Sequence, residues 1–106
     1  STRIARKRMA DALGELKQTA RLTSGQPRYA YVYGVALHSA GKQAEGIKIL
    51  TDAHERFTGD TEILQALATM EHERGHHEAA IAYAHMLVDL PPDDGQAQNL
   101  LRQIER

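Results

Sequence analysis

Apolar residues return at helical intervals along almost the whole chain, and short polar breaks cut the pattern into segments. In the first 22 residues Ile4, Met9, Ala12, Leu13, Leu16 and Ala20 recur in this way with no Gly–Pro break. Thr23-Ser24-Gly25-Gln26-Pro27 then punctuates, and Pro27 suits the first turn of a following helix. The spacing predicts helices over 27–40, closed by Gly41, and over 42–56, ended by Thr58-Gly59-Asp60. A further helix starts at Asp60, a suitable cap, with Glu62 complementing the exposed first-turn amides. It ends near Gly75, and its partner over 76–89 stops where Pro91-Pro92 cannot continue it. Asp93 or Asp94 then caps a last helix through Leu100, Leu101 and Ile104. The expectation is an all-α chain of about six helices with short connections and no sheet.

The segments repeat. Gly41, Ile47 and Asp60 reappear 34 residues later as Gly75, Ile81 and Asp94. Likewise Gly41-Lys42-Gln43-Ala44-Glu45-Gly46-Ile47 returns as Gly75-His76-His77-Glu78-Ala79-Ala80-Ile81. A fixed period of this length without strand signals points to stacked helix–turn–helix units. Two glycines fall inside helices, Gly34 and Gly46, where each costs up to ~1 kcal/mol relative to alanine. In the 34-residue register they pair with Ala68 and Ala80, so small residues recur at both places. That recurrence favours close helix contact over a hinge.

The pattern resembles the tetratricopeptide repeat, which places a bulky residue at position 4, Leu at 7, a small residue at 8 and an aromatic at 11. Gly at 15, Ala at 20, an aromatic at 24, Ala at 27 and Pro at 32 complete it. Counted from Pro27, the first unit offers Ala30, Tyr33, Gly34, Leu37, Gly41, Gly46, Leu50, Ala53 and Thr58. Counted from Thr61, the second offers Leu64, Leu67, Ala68, Glu71, Gly75, Ala80, Ala84, Leu87 and Pro92. Ala30, Thr58, Glu71 and Ala84 depart from the pattern, and looser packing is expected there. The resemblance implies a right-handed α-solenoid of antiparallel helix pairs, a single domain over 1–106. Its parts are a half-unit helix (1–23), repeat 1 (27–60), repeat 2 (61–94) and a capping helix (95–106). Ala12 and Leu16 fall at positions 20 and 24 of an earlier unit whose first helix the sequence lacks, so a piece of a longer protein is an open reading.

The resemblance further implies a protein–protein interaction module without catalysis or cofactor. Positions 2, 5, 9, 12 and 13 of the first helices line the family's usual groove. Carried over, they are Arg28, Tyr31, Val35, His38 and Ser39, then Glu62, Gln65, Thr69, His72 and Glu73, extended by Asn99 and Gln103 on the capping helix. The Lys and Asn that grip a carboxy-terminal carboxylate in some members are absent here, which disfavours that mode. The groove suits an extended peptide or a helix, with Tyr31 as an anchor. The alternative is a structural segment of a larger protein, or a domain that self-associates through its first helix. The stretch from Ala30 to Gly41 also resembles repeat tails of some bacterial multihaem cytochromes, though no haem attachment motif is present.

Composition narrows the rest. The chain has 106 residues, 42% apolar and 25% charged, with a net charge of −1. No apolar run approaches the roughly 18 residues of a membrane helix, and no signal peptide is visible. The expectation is a soluble protein, cytoplasmic or periplasmic. The absence of cysteine excludes disulfides, thiolate metal sites and cysteine nucleophiles. Charge is uneven: residues 1–28 carry seven basic and two acidic side chains, the remainder six and twelve. The basic end can meet phosphates, but the acidic body and the lack of interleaved aromatics argue against nucleic acid. One catalytic string occurs, His72-Glu73-Arg74-Gly75-His76, which spells the H-E-x-x-H signature of zinc proteases. That chemistry needs both histidines one turn apart on an unbroken helix, and Gly75 lies at the expected inter-helix turn. No metal ligand is assigned; a zinc site at His72 and His76 is the competing reading.

Overall fold

The computed structural model describes residues 2–90, which form five α-helices and no strand. They are α1 (Thr2–Leu22), α2 (Pro27–Ser39), α3 (Gln43–Arg56), α4 (Thr61–Glu73) and α5 (His77–Asp89). The expected last helix and the capping segment 95–106, with Asn99 and Gln103, lie outside the described residues. Helix α2 packs chiefly on α3, and α4 chiefly on α5. Helix α4 also meets both α2 and α3, and α1 rests on α2.

The two three-residue connections are built alike. At the end of α2, Gly41 takes φ +86°, a conformation in which an ordinary side chain is strained. The Gly41 N–H donates to the His38 carbonyl (3.1 Å) and the Lys42 N–H to the Leu37 carbonyl (2.9 Å). At the end of α4, Gly75 takes φ +80°. There the Gly75 N–H donates to the His72 carbonyl (3.0 Å) and the His76 N–H to the Glu71 carbonyl (2.9 Å). Each pair is a Schellman motif, which satisfies carbonyls the helix end would leave bare. Every bond of the first turn recurs 34 residues on, so the period seen in the sequence is repeated in backbone hydrogen bonds.

The core follows from helical spacing. In α4, Ile63, Leu64, Leu67 and Met70 form one apolar stripe and are buried. Ile63, Leu67 and Met70 meet Leu50 and Ala53 of α3, with Val35, Ile47 and Tyr83 packed around them. Leu50, Ile63, Leu64 and Leu67 are the largest fully buried side chains. Each contributes about 1.5–3 kcal/mol of transfer free energy. Helix α1 has no buried residue; Leu13, Leu16 and Ala20 are half-buried, while Met9 is 49% exposed. Its attachment is correspondingly weaker than that of the other four.

Candidate partner-binding site

Helix α4 begins where an aspartate can close it: the Ile63 N–H donates to Asp60 Oδ1 at 3.0 Å. This cap fixes where α4 starts. There Arg28 of α2 pairs with Glu62 of α4, residues 34 apart and equivalent in the repeat register. The Arg28 guanidinium lies 5.7 Å from the Tyr31 ring centroid, a cation–π distance. At the other end of the same two helices, His38 Nε2 stands 3.6 Å from Glu73 Oε2. Residues carried over to the groove from α2 and α4 thus come together in two cross-helix pairs, one at each end.

The rest of the set divides by exposure. Tyr31 and Val35 are half-buried and also pack against the core. Ser39, Gln65, Thr69 and His72 are exposed. Thr69 and His72 line a shallow depression with Ala68, His77, Ala80, Ile81 and Ala84. The His72 and His77 rings meet edge-on at 5.4 Å. Asn99 lies outside the described residues. The face therefore offers one aromatic and one branched apolar side chain, flanked by charged pairs and open amide, hydroxyl and imidazole groups.

Tyr33 points the other way, into the core, as its register requires. Burial pushes its phenol above the ordinary value of 10.0, and the Glu45 carboxylate raises it further. His54 of α3 stands edge-on to Tyr83 of α5, with ring centroids 5.8 Å apart, so it links the two helix pairs.

The H-E-x-x-H string is split by the fold. His72 belongs to the last turn of α4, while His76 precedes α5 beyond the positive-φ Gly75. The histidines are therefore not one turn apart on one helix. His76 Nδ1 instead lies 3.4 Å from Glu71 Oε2, and Arg74 Nη1 lies 3.9 Å from Glu71 Oε1. Among the described residues no three His, Asp or Glu side chains converge on a metal-sized point.

A second concavity was not among the residues expected from sequence. A cleft of about 390 Å³ opens between α1, α2 and α3. Its one sequence signal is Ala30, which stands where the repeat pattern asks for a bulky side chain. Comparison with protein-family models, curated proteins and solved structures finds no match to this chain.

Proposed function

We propose that this chain is a protein-interaction module of tetratricopeptide-like build, whose stacked helix pairs present the α2–α4 face to a partner peptide or helix. The Arg28–Glu62 pair carries the reading, because it joins equivalent positions of two units and aligns their first helices side by side. Binding on this face is passive. Tyr31 and Val35 supply apolar contact, and Ser39, Gln65, Thr69 and His72 supply hydrogen bonds at the rim. Arg28 and Glu62, paired across the helices, hold the face in shape and are open to exchange partners, as are His38 and Glu73 at its other end. No residue on it is assigned a catalytic role.

The test is affinity capture from lysate of the source cell with the parent protein and a Tyr31→Ala/Gln65→Ala variant. A partner kept by the parent and lost by an equally folded variant supports the reading. A partner kept equally by both moves the interface off this face. A second reading, a structural segment or self-associating domain, draws on α1, where Met9 is 49% exposed on a helix with no buried residue. Sedimentation of the parent as a dimer that Met9→Glu dissociates would favour it.

A further inference from the structure

We propose that the cleft between α1, α2 and α3 is a binding site for a small amphipathic carboxylate, an aliphatic or aromatic body ending in a single anionic group. It lies apart from the α2–α4 face and does not depend on that face binding a partner.

The cleft exists because small side chains meet where the repeat calls for a large one. Its apolar wall is Ala20, Ala30, Tyr33, Ile49, Ala53 and Phe57. In the second unit the counterpart of Ala30 is Leu64, fully buried, whose longer side chain takes up space that an alanine would not. Alanine at position 30 leaves that space open between the helices. The volume, about 390 Å³, falls in the range of small-ligand sites, which are mainly apolar with a few polar groups that orient the ligand.

Those polar groups are cationic. Lys17 and Arg21, one turn apart on α1, stand at the rim with Arg56 from the last turn of α3. Lys17 and Arg21 have no acidic partner within ion-pair distance among the described residues. Arg56 is held in place: its Nη2 donates to the Ser24 carbonyl at 2.6 Å, and its guanidinium lies 5.1 Å from the Phe57 ring centroid. The one acidic residue on the lining, Asp52, is engaged by Lys48 Nζ at 3.0 Å. Gln26, also on the lining, provides no side-chain cap to α2, and the first turn of α2 has no acidic residue. That end is opposed at the same cleft by the C-terminal ends of α1 and α3, so the cationic side chains and not the helix ends set the sign of the field.

An apolar wall under a ring of three cations selects for both halves of an amphiphile. The tail removes alanine, isoleucine and phenylalanine surface from water. The head receives charge-assisted hydrogen bonds from guanidinium and ammonium donors; a neutral hydroxyl accepts weaker ones without the ionic attraction, and a quaternary ammonium accepts none. Arg56 gives one N–H to Ser24 and keeps its remaining donors for the carboxylate.

The probes are decanoate, decanol and decyltrimethylammonium, titrated below their aggregation range into the isotope-labelled protein and followed by amide chemical shifts. Decanoate is expected to saturate, with the largest shifts at Ala20, Ala30, Ala53 and Phe57. Decanol should bind about tenfold more weakly, the factor that loss of one hydrogen bond to a charged group confers, and the cation should not saturate. Ala30→Leu should abolish saturation while preserving or raising the melting temperature. Lys17→Glu/Arg21→Glu, two exposed positions that leave the core untouched, should weaken decanoate by at least about tenfold on the same argument. Equal binding of decanoate and decyltrimethylammonium, or unchanged affinity in the charge-reversed variant, would overturn the proposal. Tighter binding of the peptide acetyl-Asp-Glu-Phe-Glu-Asp-amide in the same cleft would also overturn it and assign the cleft to an acidic protein segment.

Discussion

A methyl group added at Gly46 would stand 2.6 Å from the Gly34 carbonyl oxygen and 3.0 Å from the His38 amide nitrogen. One added at Gly34 would stand 2.6 Å from Leu50 Cγ and 3.2 Å from the Gly46 carbonyl oxygen. The two glycines therefore face each other across α2 and α3, and each lets the other's backbone approach. Helix propensity alone favours alanine at either place by up to ~1 kcal/mol. The contact decides otherwise. Overpacking a tight contact costs typically 1–3 kcal/mol, so Gly34→Leu should destabilise by about that amount in a denaturant melt. Gly46→Ala and Gly34→Ala should both destabilise, because the first meets backbone and the second meets the branch carbon of the fully buried Leu50 and the Gly46 carbonyl. Equal or raised stability in both alanine variants would contradict the close approach. The sequence carried this inference, since small residues recur at both positions of the register. It did not show that the two glycines meet each other, because a one-dimensional repeat says which positions are equivalent and not which ones touch.

At the level of the element, the two glycine turns and the Asp60 cap have a local chemical cause. Gly41 and Gly75 supply the left-handed residue that ends α2 and α4, and both were readable from the 34-residue echo. Asp60 was readable too, since an aspartate before an apolar run with Glu62 behind it is a helix-start signal. Its carboxylate caps Ile63 N–H at 3.0 Å, so Asp60→Ala should remove about 1 kcal/mol, while Asp60→Asn should retain most of it. A thermal melt separates the two; equal loss in both variants would mean that charge rather than the hydrogen bond matters. Less was legible for α1, whose apolar residues keep helical spacing yet remain largely exposed in the described chain. Spacing shows that a face exists and not what covers it. Glu71 replaces an expected aromatic, and its carboxylate faces His76 and Arg74 beside the turn, a local solution that a pattern match marks only as a departure.

For the whole molecule, the described helices and their packing give a body extended along one axis, 53 × 29 × 29 Å. Two helix pairs share one core, in which Leu50 and Ala53 of α3 meet Ile63, Leu67 and Met70 of α4. His54 and Tyr83 add an edge-on contact between the pairs. No described helix is long and apolar enough to cross a membrane. The candidate face was legible as a set of equivalent positions, and Arg28 with Glu62 and His38 with Glu73 do meet across α2 and α4. The cleft beside Ala30 was legible only as a place of looser packing. Its three cations come from helices far apart in sequence, and periodicity within one unit does not bring them together.

The proposed docking of a partner on α2 and α4 has a direct readout. Amide hydrogen exchange, measured on the protein alone and with a captured partner at saturation, tests it most directly. The expected result is added protection concentrated in residues 28–39 and 62–73, with α3 unchanged. Protection confined to α1, α3 or α5 would contradict it and place the interface elsewhere.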